Sequence, residues 1–249
     1  MPHPGNCRLC RTDAELQESH FMPAALYPKK RTITATTQTA TLTNPNQIKD
    51  YLLCRVCEGR FNGNGESEVL RWLAAKASSK HPFPLLDKIR GVVPIRTEAD
   101  LSIYSGAALG LEMEKFAYFA LSVVWRGAVH QWTLPDGTLT SPLDLGPHEE
   151  PVRRFLLGEA PFPQDAAVTV AVCTDTLTRE YWIAPMVSTD YGCPSFPFLT
   201  LGAVFRVWIG SRIPDHVRPY CCRSSPEQVI FGTHCDDQTA RVLGGLAPL

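Results

Sequence analysis

Cys7-Arg8-Leu9-Cys10 and Cys54-Arg55-Val56-Cys57 are the two stretches on which the reading of this chain turns. Two residues between paired cysteines let a tight turn aim both thiolates at one ion. Two such pairs complete the tetrahedral four-sulfur shell that zinc occupies in structural sites. Cys7, Cys10, Cys54 and Cys57 are therefore expected to hold a structural zinc ion. A redox CxxC needs only one pair, usually beside a βαβ unit, and neither pair has one around it. Four unrelated buried thiols would rarely fall into two identical spacings.

The 43 residues between Cys10 and Cys54 are more than a compact zinc ribbon needs, so they must hold a hairpin or an arm. Residues 31–43 (RTITATTQTATLT) are β-prone and polar, as an exposed hairpin or arm would be. The second cysteine pair leads into helical sequence. The expected order is knuckle, hairpin, then a helix starting at the metal, which is a treble clef.

Beyond it, residues 66–77 (ESEVLRWLAAKA) read as a helix with Val69, Leu70, Leu73 and Ala77 on its apolar face. Gly59, Gly63 and Gly65 are expected to loosen or break its approach. Residues 80–94, with Pro82, Pro84 and Pro94, read as a connector. The strongest helix signal covers residues 107–128, with Leu109, Met113, Phe116, Ala120, Val123 and Val124 on one side. Residues 132–138 (WTLPDGT) carry a turn signature. Residues 147–157 read as a short helix ended by Gly158, with prolines and acids in its first turn. Strand-like runs follow at 167–173, 181–187, 198–209 and 228–231. The expected fold is α+β: a treble-clef zinc module over residues 1–80, joined to a larger α+β domain over 95–249. In that domain one long buried helix packs on a mostly antiparallel sheet.

Hydrophobic residues make up 44% and charged residues 20%, enough to bury a core. The net charge of −1 excludes a general polycation, yet residues 1–60 hold eight Lys and Arg against five Asp and Glu, and the remainder sixteen against twenty. Arg8, Arg11, Lys29, Lys30, Arg31, Arg55 and Arg60 thus make the cysteine-bearing part the basic part, which points to nucleic acid as the partner there. The N-terminal MPHPGNCRLC has no apolar core, so no signal peptide is expected. The most apolar run, residues 116–125, is far short of the ~20 residues that span a bilayer. Nine cysteines, an odd number, argue against a disulfide framework. These features point to the cytoplasm and away from a membrane. Cys173 sits in a strand-like run and reads as core. Cys193, Cys221, Cys222 and Cys235, with His216 and His234, match no standard ligand spacing. No phosphate-binding loop, dinucleotide-binding glycine motif or nucleophile elbow is present.

Between the cysteine pairs lies ESHFMPAALY, residues 18–27. The layout CRLC … ESHFMP … NPNQIKDYLLCRVCE resembles the zinc-stabilised form of the HNH, or ββα-metal, nuclease superfamily. The likeness covers residues 7 to about 61. It implies that His20, three residues before Pro23, is the general base that activates a water. It further implies that Asn44 or Asn46 orients that histidine, and that Glu58 binds a catalytic divalent cation, Mg2+ or Mn2+, distinct from the zinc. The chain departs from the pattern twice: Ser19 stands where the family has an acidic metal ligand, and Glu58 where it has His or Asn. The SHxxP … LLCxxCExxF pattern, with a later helix ending in xxWR at residues 122–126, also resembles a group of bacterial proteins that brings no activity with it. The resemblance implies a metal-dependent endonuclease. The departures imply the alternative, an inactive zinc-stapled module that binds protein or nucleic acid.

Overall fold

The computed structural model describes residues 2–27, 32–35, 40–43, 47–74, 83–98, 101–135, 137–174, 177–189, 192–223 and 229–233. The chain is mixed α+β with two sheets. The smaller has three strands: β1 (Pro4–Asn6), β2 (Asp13–His20) and β5 (Lys49–Cys54), ordered β1-β2-β5 and antiparallel throughout. β5 runs directly into a helix. α1 (Arg55–Phe61), a wide π turn (Asn62–Glu66) and α2 (Ser67–Leu73) follow without interruption.

That helix differs from the expectation. It starts eleven residues before 66, stops at Leu73, and the glycines do not break it. Gly65 explains why glycine is there. A Cβ on it would lie 2.9 Å from the backbone nitrogen of Phe119, so the bare backbone lets two helices touch. The π turn absorbs the local misfit.

The larger sheet has nine strands in the order β4-β3-β9-β10-β11-β8-β12-β7-β6. They are β3 (Thr32–Ala35), β4 (Ala40–Thr43), β6 (Arg96–Glu98), β7 (Leu101–Ser105), β8 (Ala166–Cys173), β9 (Tyr181–Ile183), β10 (Ser195–Thr200), β11 (Ala203–Ile209) and β12 (Val229–Thr233). Pairing is antiparallel except for β12 with β8 and β3 with β9. The β3–β4 hairpin, expected as an exposed arm, extends the edge of this sheet through β9. The run at 198–209, expected as one strand, is a hairpin. Leu201 (φ 47°) and Gly202 (φ 79°) turn the chain through two left-handed residues, the geometry a two-residue hairpin loop requires. The run at 181–187 forms a strand only to Ile183.

The expected helix at 107–128 is two helices, α4 (Gly106–Leu109) and α5 (Met113–Val129). Gly110, at φ 72°, ends α4. The Leu111 amide returns to the Gly106 carbonyl and the Gly110 amide to Ala107, both at 2.9 Å, which is a Schellman closure. α5 is buried on every side from Phe116 to Gly127, not on one face. The cause is its position between two layers. Phe119 packs edge-on against Phe198 and Phe205 of the sheet, while Phe61 of α1 packs edge-on against Tyr118 and Trp125 from the other side. Pro84 begins a further helix, α3 (Pro84–Arg90), within the expected connector, and it buries Leu85, Leu86 and Ile89. α6 (Glu149–Leu157) ends at Gly158 (φ 78°), as the sequence indicates.

One core joins these elements, running without a gap from Cys7, Leu9, Phe21 and Phe61 to Trp132, Val170, Phe198 and Ile230. Cys173 is buried, as expected, but it is disulfide-bonded rather than free. No helix among the described residues is long and apolar enough to cross a membrane.

Candidate metal centre

The first cysteine pair lies in the turn between β1 and β2. The Cys7 amide donates to the Thr12 carbonyl at 3.0 Å and the Arg11 amide to the Cys7 carbonyl at 2.7 Å. Arg11 takes a left-handed conformation (φ 59°), and the Asn6 side-chain amide donates to its carbonyl at 3.1 Å. The second pair is brought there by the β2–β5 ladder. In it Leu16 faces Cys54, and the Cys54 amide donates to the Cys7 sulfur at 3.3 Å. Cys57 sits in the first turn of α1.

The four sulfurs all lie within 4.8 Å of one another, and those of Cys10 and Cys54 are 3.9 Å apart. Zinc–sulfur bonds of about 2.3 Å in a tetrahedron put sulfurs about 3.8 Å apart, so the cluster has the size of a zinc site. Cys7, Cys54 and Cys57 are buried, whereas Cys10 is half-buried and contacts the Thr12 hydroxyl at 2.8 Å. The Cys57 thiol and the Cys54 and other backbone amides around Cys7 pull its pKa down to about 4. The Cys57 thiol is pushed up, first by its hydrogen bond to Cys7 and then by burial. The thiols thus act on one another, and a cation among them would favour their thiolate forms. Four thiolates this close can hold a metal ion such as zinc.

The residues of the nuclease-like pattern are arranged differently. His20 ends β2, half-buried, and its Nε2 is 2.8 Å from Oε1 of Gln47. Glu18 is exposed and paired with Lys49 at 2.8 Å. Ser19 is only 1% exposed. Its hydroxyl accepts the Leu53 amide at 3.1 Å and is 3.4 Å from the Gln17 carbonyl. Glu58 occupies the first turn of α1, and its Oε1 has no hydrogen-bond partner among the described residues. Asn44 and Asn46 lie outside the described residues, as do Lys29, Lys30 and Arg31. Among the described residues, the four cysteines are the one group of three or more potential ligand side chains within metal-binding reach. The late thiols are used otherwise: Cys222 lies 3.7 Å from the Met113 carbonyl, and the Cys221 sulfur accepts the Val168 amide at 3.4 Å. His234 and Cys235 lie outside the described residues.

The hairpin face carrying Ser19 is closed by the end of α5 and the segment after it. Nε2 of His130 is 2.9 Å from Asp50, which faces Ser19 across the ladder, and Phe21 stacks on Trp132 at 5.1 Å.

Sequence reading missed the clamp on the turn that carries Cys7 and Cys10. Arg153 of α6 donates from Nη1 to the Leu9 carbonyl at 2.5 Å and grips Glu150 with Nε and Nη2 at 2.8 and 2.7 Å. Arg11 meets the same Glu150 at 2.6 Å. Nothing in the spacing links residues 9 and 153. Arg153 first, and Arg11 after it, hold the Glu150 carboxyl down to about 2. A depressed carboxyl adds stability above its ordinary value of 4.5, and that contribution is lost as pH falls through about 2. Glu150 is half-exposed, so solvent screening keeps this part small. The larger loss in Arg153→Met should come from the buried Leu9 carbonyl, at about 1–3 kcal/mol. Urea unfolding at neutral pH checks that, and NMR titration should show the Glu150 carboxyl moving back toward 4.5.

No protein-family model, curated protein or solved structure matches this chain. The fold and site define a mixed α+β protein with a four-cysteine cluster able to hold a metal ion.

Proposed function

We propose that residues 7–61 form a treble clef of the HNH kind, stapled by zinc, which binds nucleic acid without cleaving it. The observation that carries this reading is Ser19. It stands where the nucleases place a metal-binding acid, yet its hydroxyl is buried and committed to the Leu53 amide. Glu18, the nearest acid, is engaged by Lys49 on the exposed side. Glu58 alone is too few protein ligands to fix Mg2+ or Mn2+ against its hydration shell. Nucleic acid as partner is supported by the basic excess of residues 1–60 and by exposed arginines on the metal-binding turns, Arg8 and Arg55.

The test combines a plasmid-nicking assay with binding measured across a salt series. The expected result is no metal-dependent cleavage with Mg2+ or Mn2+, together with oligonucleotide binding that weakens steeply as salt rises. Nicking that disappears in His20→Ala would overturn the non-catalytic reading and restore the nuclease. Absence of binding at low salt would remove nucleic acid as the partner.

A further inference from the structure

An open groove of about 560 Å3 leads onto the cysteine cluster, with Cys10, Cys54 and Cys57 in its lining and Arg55, Val56 and Arg60 on the α1 side. Thr12 and Glu15 of the metal-binding turn and β2 form the opposite wall, and Leu157 closes one end. The volume falls within the roughly 300–1,000 Å3 of small-ligand sites. Arg55, Arg60 and Glu15 have no ion-pair partner among the described residues; Nη1 of Arg60 lies against Gly158, and its Nε is buried without a hydrogen-bond partner. Arg11 and Arg153, by contrast, are spent on Glu150. Val56, 74% exposed, offers an apolar surface at the mouth that no part of the described chain covers.

Two guanidiniums outside any ion pair suit a phosphate. An apolar shelf between them and a carboxylate suits a base, because a carboxylate accepts hydrogen bonds from the exocyclic amino group of cytosine. We propose that this groove takes one nucleotide unit of a nucleic-acid strand. The phosphate lies between Arg55 and Arg60, and the base lies over Val56 and Leu157 toward Glu15. The proposal rests on the nucleic-acid reading above and places the contact beside the cysteines, away from His20.

The experiment uses the full-length zinc-loaded chain and short fluorescent single-stranded oligonucleotides. Arg55→Ala combined with Arg60→Gln should weaken binding at least about tenfold and lower the salt slope by about one to two, with zinc content unchanged. Val56→Glu, at an exposed position, should also weaken binding by placing a negative charge at the mouth. Glu15→Gln should reduce the preference for cytosine-rich over thymine-rich strands. If the parent binds and both the double-arginine and Val56→Glu variants bind equally well, the groove is excluded while the nucleic-acid reading stands. If the double-arginine variant loses zinc, the arginines serve the thiolate charge and Val56→Glu decides: weaker binding with full zinc supports the groove, and unchanged binding excludes it. A parent that binds no oligonucleotide at low salt sinks both.

Discussion

Cys57→Ser should give a chain that retains no stoichiometric zinc and loses the packing of tryptophans far from the cysteines. Structural zinc supplies about 10–16 kcal/mol of apparent folding free energy in zinc-finger peptides. That is as large as the whole net stability of an ordinary domain, about 5–15 kcal/mol. The damage should not stay in residues 1–60, because their buried side chains share one continuous core with those of the later elements. Phe61, one turn after Cys57, lies 6.0 Å from Trp125, and Phe21 lies 5.1 Å from Trp132. Near-ultraviolet circular dichroism, which reports fixed tryptophan surroundings, should therefore collapse together with the metal content. Cys10→Ser should be milder, since Cys10 is the half-buried ligand and three thiolates with a water still make a four-coordinate zinc site. A metal-free Cys57→Ser chain with parental tryptophan dichroism and an unchanged melting temperature would falsify the role assigned to the site.

The cysteine cluster was legible because its signal is local. Paired spacing states the chemistry, and the β2–β5 ladder needed only to bring the second pair to the first. The strand run at 167–173 and the end of α6 at Gly158 were legible for the same reason, since alternation and a left-handed glycine act within a few residues. The errors came where packing overrode local preference. Gly59, Gly63 and Gly65 look like helix breakers, but Gly65 is required by the close backbone of Phe119, a contact across 54 positions that spacing cannot announce. The residues from 116 to 127 read as one-sided because a period of 3.6 seeks one apolar face. The helix is covered by the sheet on one side and by α1 on the other. The β3–β4 hairpin was read as an exposed arm because its side chains are polar, and polarity does not exclude an edge strand of a larger sheet. At the nuclease-like pattern the sequence supplied residue types. It could not show that Ser19 is turned inward onto Leu53.

Arg126→Met should cost about 3–5 kcal/mol, the largest loss expected from a position that touches no metal ligand. Arg126 lies in the last turn of α5, yet it is 1% exposed. Its Nη2 meets Oε1 of Glu66 in the π turn at 2.7 Å, and its guanidinium lies 4.6 Å from the centre of the Phe61 ring. Removing it leaves Glu66 buried without its counter-ion. The pair is nonetheless costly to keep. Nε and Nη1 of Arg126 have no hydrogen-bond partner among the described residues, and the groups around it are aromatic. Arg126→Met combined with Glu66→Met should therefore recover most of the single-variant loss, since apolar replacement of a buried pair is often neutral or stabilising by about 1–4 kcal/mol. Urea unfolding of the two single variants and the double variant, arranged as a cycle, measures the coupling directly. Additive losses, or singles that each cost less than about 1 kcal/mol, would mean that the ion pair does not hold α5 to the helix that starts at the cysteine cluster.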